Sequence, residues 1–230
     1  PGLFFTRWIT HFCAPIFTFL AGTSAWFQAR SKNRKELSEF LIKRGLWLVL
    51  VEIVVLNFAF SFDPSYTIIG LQTIWSIGVS MIFLGLLIWL PFPAILAIGL
   101  VVVLGHNSLD SYETSKKSDF SLLYSIIHRP GFFPIGKSHS LFVLYPVLPW
   151  LGIMILGYCF GKLYTTYQKI EQRKVILILG IGVTLFFILL RATNLYGDPK
   201  PWSQQETYLY TLFSFIDTQK YPPSLLYAGM

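Results

Sequence analysis

Six long apolar runs, at positions 9–28, 45–62, 68–90, 93–105, 141–161 and 175–190, alternate with shorter polar segments along the chain. Most approach the ~20 residues that a helix needs to cross the hydrocarbon of a bilayer. None keeps the period-2 alternation of a barrel strand. Hydrocarbon tolerates only helices or closed barrels, so each run predicts a helix. The pattern thus predicts an all-α fold: a polytopic transmembrane helix bundle, one domain over residues 1–230, with six complete spans. A seventh apolar segment opens in YPPSLLYAGM and stops before it is long enough to cross. With Pro1 leading almost directly into the first run, this predicts a fragment lacking its first and last helices. Pro91-Phe92-Pro93 predicts a tight turn, and the short run 93–105 a span that is tilted, thinned around or half-buried.

Charge then orients the bundle. Arg30, Lys32, Arg34, Lys35, Lys43 and Arg44 in one loop, with Lys162, Lys169, Arg173 and Lys174 in another, supply ten of the 18 basic residues. Counting spans puts both loops on one face, and the positive-inside rule makes that face cytoplasmic. Segments 106–140 and 191–220 are then extracytoplasmic, with Tyr112–Asp119 a solvated loop and 122–128 a short interfacial helix. The net charge of +7 is accordingly a topology signal, and no nucleic-acid partner is expected. At 54% hydrophobic and 13% charged residues, the membrane class overrides a soluble reading. Cys13 and Cys159 lie inside apolar runs without metal-ligand spacing, which predicts packing cysteines and no metal. Gly78, Gly85, Gly152, Gly157 and Gly161 predict close helix packing.

The candidate chemistry collects on the extracytoplasmic side, where all four histidines fall: His11, His106, His128 and His139. His106 opens GHNSLD, so Asn107 and Asp110 are in local reach as donor and orienting carboxylate. His11 lies about a turn inside the first run, where an ionisable group is costly. His128, beside Arg129 on the interfacial helix, is ascribed to interface preference. Glu52 and Asn57 sit in a span and must be paired, protonated or facing a cavity, which Gln72 and Trp75 would also line. Arg191, Asn194, Asp198 and Trp202 form one polar turn; Asp217, Lys220 and Tyr221 form another. The chain has no P-loop, Rossmann glycine pattern, H-E-x-x-H or nucleophile elbow, which removes most ATPase, redox and metal-hydrolase readings.

The segments FFTRWITHFCAPIFTFLAGTSA, GHNSLD, YPVLPWLGIMILGYCFG, NLYGDPKPW and FIDTQKYPPSLLY run in order along nearly the whole chain. In them the sequence resembles the bacterial membrane family related to heparan-alpha-glucosaminide N-acetyltransferase. The resemblance implies a bundle of about ten helices that transfers an acetyl group from acetyl-CoA to an acceptor across the bilayer. In the lysosomal relative that acceptor is a terminal glucosamine. It also implies an upstream helix with an Arg-Gly motif and an Asp-His pair carrying the family's essential histidine, which these residues do not contain. Within the chain, the implied reaction needs a base and oxyanion donors. His106 oriented by Asp110, with Asn107 as donor, fits those roles, and His11 is a second candidate. Lys220 and Arg191 fit the CoA phosphates or an anionic acceptor; Trp150 or Trp202 fits stacking on a sugar or adenine.

The reading is an integral membrane N- or O-acyltransferase of the bacterial inner membrane, using acetyl-CoA as co-substrate and no metal. Its partners are the lipid bilayer and a small-molecule or glycan acceptor, and a homo-oligomer is compatible. The fragment alone is expected to be inactive. A carrier of a small polar solute is the alternative, and Glu52 is the one mid-bilayer charge that favours it. A packing subunit would not need polar clusters confined to one face.

Overall fold

The computed structural model describes residues 2–111 and 121–230, so the expected loop Tyr112–Asp119 lies outside the described residues. The first apolar run becomes α1 (Gly2–His11) and α2 (Cys13–Gln28), hinged at Phe12. Then come α3 (Arg34–Leu50), a π-helical turn (Val51–Leu56) and α4 (Asn57–Ser61). A strand β1 (Ile68–Leu71) precedes α5 (Thr73–Leu87) and α6 (Phe92–Gly105), which tightens into a 3₁₀ turn (His106–Leu109). The middle holds α7 (Ser121–Ile127), β2 (Gly131–Ile135) and β3 (His139–Val143). The rest is α8 (Val147–Gly161), α9 (Leu163–Thr166), α10 (Lys169–Thr193), α11 (Tyr208–Ile216) and α12 (Leu225–Gly229).

Local chemistry sets several boundaries. Asn33 and Glu36 make a capping box at the start of α3: Glu36 N–H donates to Asn33 Oδ1 (2.9 Å) and Asn33 N–H to Glu36 Oε2 (3.1 Å). Proline near N1 starts α6, where its missing N–H costs nothing. The π turn has its own logic. Asn57 follows Glu52 by five residues, and its Nδ2 donates to the Glu52 carbonyl at 2.8 Å. The same amide donates to Gly70 O at 3.0 Å and accepts from Gly70 N–H at 2.5 Å, tying the bulge to β1.

The helical prediction holds, with two corrections, a small sheet and the placement of Cys13. Runs 68–90 and 141–161 each begin with a strand: β1 pairs parallel with β3, and β3 antiparallel with β2, in the order β1-β3-β2. A short apolar stretch ahead of a helix has the same composition whether it is strand or helical turn, so the run concealed the break. Among the described residues three helical stretches are long and apolar enough to cross a membrane, Phe92–Leu109, Val147–Thr166 and Lys169–Thr193, with Thr73–Leu87 apolar but shorter. Cys13 is exposed on the outside of the bundle, while Cys159 is buried as anticipated.

α8 is the hub, packed against α2, α5 and α6, with α3 laid on α5. Small residues bring the backbones together. A Cβ on Gly22 would strike the Met154 carbonyl, and one on Gly157 the Phe19 carbonyl. Thr23 Oγ1, on the same face, donates to Gly157 O at 3.0 Å. In lipid such packing, with interhelical hydrogen bonds worth about 0.6 kcal/mol each, replaces much of the hydrophobic drive available in water. α10 differs: only 11% of its apolar window is buried, so it stands at the periphery.

The two ends of the bundle differ in character. At one, Trp26 Nε1 donates to Thr165 Oγ1 (3.2 Å) and the Lys162 ammonium sits 3.9 Å over the Phe92 ring. At the other, Tyr196 O–H donates to Leu104 O (2.6 Å), Leu225 N–H to Asn107 Oδ1 (2.8 Å) and Tyr227 O–H to His11 O (2.6 Å). The segment read as the start of a seventh span begins at this polar end as α12, with Leu225, Leu226 and Tyr227 buried.

Candidate active site

At the polar end a cleft of about 490 Å³ opens between α1 and the segment around 217–221. Arg7, Trp8 and His11 line it from α1; Asp217, Thr218, Lys220 and Tyr221 face them, with Lys200 beside. Arg7 and His11 are four residues apart and so share a helix face. Three lining residues carry a buried polar atom with no hydrogen-bond partner among the described residues: Trp8 Nε1, His11 Nδ1 and Thr218 Oγ1. Buried polar atoms are usually paired; other unpaired ones lie elsewhere among the described residues, and these three, gathered around one cleft, are available for hydrogen bonds to a bound molecule. His11 is held by its main chain, whose carbonyl accepts from Tyr227 O–H, while the two rings lie 5.6 Å apart. Below the cleft, a second cavity of about 360 Å³ is lined by His11, Ile16, Phe19, Ile153, Val183 and Tyr227 among others. His11 is common to both.

The GHNSLD group builds something different from the expected pair. The Asp110 carboxylate accepts from His128 Nε2 at 2.7 Å and from Asn107 Nδ2 at 2.8 Å, and no bond runs from it to His106. His128 is therefore no incidental interface residue: it is fully buried. His106 is also buried, its ring 5.9 Å from that of His128, and both Nδ1 atoms lack partners among the described residues. Asn107 spends its carbonyl on capping α12 at Leu225. Outside the apolar spans, Asp110 titrates below the ordinary carboxylate range: burial pushes it up, but hydrogen bonds from His128 and Asn107 and the nearby imidazoles outweigh that. His139 is exposed, 3.1 Å from Ser65 O at the edge of the sheet.

Several other expected ligand-binding residues are consumed by the architecture. Arg191 is buried, and its guanidinium donates to the carbonyls of Phe215 (2.9 Å), Lys200 (2.8 Å), Ser214 (3.0 Å) and Asp217 (2.9 Å). Those bonds staple the loop after α10 to the end of α11 and leave the fork no phosphate to hold. Asp198 accepts from Lys200 N–H, Gln219 N–H and Ser224 O–H, each at 2.8 Å, and lies 3.9 Å from Arg191. Asn194, left-handed at the end of α10, exchanges hydrogen bonds with the Trp202 backbone at 2.9 and 3.0 Å. Trp202 packs edge-on to Phe215. Trp150 is 1% exposed and packs on Tyr145, so neither face is open to a sugar ring. Gln72 precedes α5 beside Gly70, away from the cleft. Glu52 is buried with its carboxylate accepting from Trp75 N–H at 3.2 Å, at the start of α5. The helix start thus gives this carboxylate a structural partner.

Of the sequence candidates, His11, Asp217, Lys220 and Tyr221 thus meet in the cleft. Arg7, Trp8, Lys200 and Thr218 join them unannounced; for Arg7 and Trp8 the i, i+3 and i, i+4 spacing to His11 was the available signal. Among the described residues no three His, Cys, Asp or Glu side chains group as metal ligands. No curated protein and no solved structure gives a significant match. Residues 2–190 match the family model described as heparan-alpha-glucosaminide N-acetyltransferase, catalytic. That match covers most of the sequence, from the helix carrying His11 to the end of the apolar stretch of α10. With three helices of membrane-crossing length besides, the chain belongs to this family of membrane acetyltransferases and is an integral membrane protein.

Proposed function

We propose that the chain moves an acetyl group from acetyl-CoA to an amine or hydroxyl of an extracytoplasmic sugar or glycan, with His11 as the base. In this reading the helical parts of the six apolar runs lie in the bilayer of a bacterial inner membrane, and the basic loops face the cytoplasm. The observation that carries it is the cleft in which His11, Trp8 and Thr218 each hold an unpartnered polar atom beside Arg7, Lys200 and Lys220.

Each residue has work suited to it. The thioester donor supplies an activated acetyl carbonyl. His11 Nδ1 takes the proton from the acceptor nitrogen or oxygen as that atom bonds to the carbonyl carbon; the carbon–sulfur bond breaks, and the proton passes to the departing thiolate. Trp8 Nε1–H and Thr218 O–H are placed to donate to the developing oxyanion. Arg7, Lys200 and Lys220 supply positive charge for phosphates, and Tyr221 an aromatic face for a sugar.

The test is acetyl transfer by the full-length protein in detergent, comparing wild type with His11→Gln. The helix contact of His11 runs through its carbonyl, so the substitution keeps the Tyr227 bond. A fall in kcat of ~10²–10⁴-fold with unchanged monodispersity is expected. Wild-type turnover by His11→Gln would remove His11 as the base.

A further inference from the structure

We infer that Tyr145, which is buried and does not line the cleft, is a positioning residue: its hydroxyl holds the Tyr221 ring as the face on which the acceptor sugar stacks. The inference rests on the cleft being the acceptor site and names the residue that shapes it.

Tyr221 faces the cleft and is 38% exposed, whereas Tyr145 is 6% exposed. Their hydroxyl oxygens lie 3.2 Å apart, and the rings meet edge to face, with centroids 5.3 Å apart and planes at 79°. A tyrosine bonded only to water would move among its side-chain wells. The bond to Tyr145 removes that freedom before a sugar arrives, so binding does not carry the cost of ordering the ring. The Lys220 ammonium is the ring's other neighbour, 5.4 Å from its centroid, but a flexible lysine stem does not fix a ring.

Tyr145 is itself held from three sides. Its N–H and that of Leu144 both donate to the Leu71 carbonyl, at 3.2 and 3.0 Å, which ties it to the end of β1. Pro146 follows in extended conformation and starts α8. The Tyr145 ring lies 5.1 Å from that of Trp150, in the first turn of this hub helix and 1% exposed. One chain of contacts, Trp150 to Tyr145 to Tyr221, thus joins the packed centre of the bundle to the cleft wall. The segment that bears Tyr221 uses such a tie. Asp198 pins its main chain at Gln219 and its Ser224 hydroxyl, each at 2.8 Å, but does not reach the ring between them.

The full-length protein in detergent is assayed with acetyl-CoA and two acceptors, glucosamine and a glucosamine-ended disaccharide. The variants are Tyr145→Phe, Tyr221→Phe, the double phenylalanine variant and Tyr221→Ala. Tyr145→Phe keeps both rings and removes one hydroxyl. Its KM for the acceptor should rise about two- to tenfold, with kcat and the KM for acetyl-CoA unchanged. Tyr221→Phe breaks the same bond from the other end, so the double variant should be no worse than either single one. Additive rises would show the two hydroxyls acting separately and would overturn the inference. An unchanged acceptor KM in Tyr145→Phe, beside a raised one in Tyr221→Ala, would also overturn it while leaving the cleft reading in place. A lowered unfolding temperature in Tyr145→Phe would then mark a structural role alone. Should Tyr145→Phe fail to fold, Tyr221→Phe decides by the same rise or its absence. An unchanged acceptor KM in Tyr221→Ala would take the sugar off this face, and the inference with it. Turnover of neither acceptor by the wild type would sink the acetyl-transfer reading and the inference together.

Discussion

His128 Nε2 lies 2.7 Å from Asp110 Oδ1, and this bond turns the GHNSLD turn away from His106 and toward the helix before the sheet. Asn107 completes the arrangement by donating to the other carboxylate oxygen at 2.8 Å. The pair locks the outer end of α6 to α7. Asp110 is depressed in the folded state, so its stabilisation is full above the ordinary carboxylate pKa of about 3.9 and disappears as pH falls through the lower folded value. Thermal unfolding in detergent should therefore lose stability as pH drops from about 5 toward 3. Asp110→Asn should be less stable at neutral pH and lose that part of the acid dependence. An identical acid profile in wild type and variant would contradict the assignment.

Arg191→Ala should cost about 3 kcal/mol or more, because it strands buried carbonyls of residues 200, 214, 215 and 217. Arg191→Lys should recover only part, since an ammonium cannot reproduce the planar fork. The surviving folded protein should keep its KM for acetyl-CoA. A selective rise in that KM, with unfolding temperature unchanged, would return Arg191 to ligand binding.

Gly157→Ala places a methyl against the backbone of Phe19, which cannot retreat as a side chain does. Separation of α2 from α8 should follow, with a loss of about 1–3 kcal/mol. Gly180→Ala, which meets open space, should be neutral or slightly stabilising. Thermal midpoints of the two variants compared side by side decide the matter.

Single cysteines introduced at Lys137 and Lys32, in a background with Cys13 and Cys159 replaced, test orientation by membrane-impermeant labelling of intact cells. Position 137 should label and position 32 should not, as the Lys/Arg distribution requires. The opposite pattern would invert the bundle and put the cleft in the cytoplasm.

The helical bundle and its packing glycines were legible because apolar runs and small residues act locally. The sheet was not: Ile68–Leu71 and His139–Val143 are apolar segments flush against helices, and their pairing partner lies far along the chain. Histidine roles failed for a related reason. Asp110 has His106 four residues away and His128 eighteen away, and proximity in sequence favoured the wrong one. Arg191 looked available because sequence shows a charge but not the carbonyls that surround it. Glu52 read equally well as paired or as facing a cavity, and its partners, Asn57 across the π turn and the start of α5, are a matter of folding that the sequence does not display. His11 stood out in the sequence because a titratable group inside an apolar run is costly wherever it points, and it lines the cleft.

The parallel pairing of β1 with β3 also imposes an order on biogenesis. β3 is the central strand, so β1 has no partner in the sheet until residues up to Val143 exist on the same side of the membrane. At about 5–20 residues per second, the ribosome takes roughly 4–14 s to travel from Leu71 to Val143. During that interval α5 and α6 are being made while the strand ahead of them waits with open backbone groups. The sheet is thus a late clasp: it closes after the helices between its strands have been made and joins the loop after α4 to the approach to α8, the helix on which the others pack.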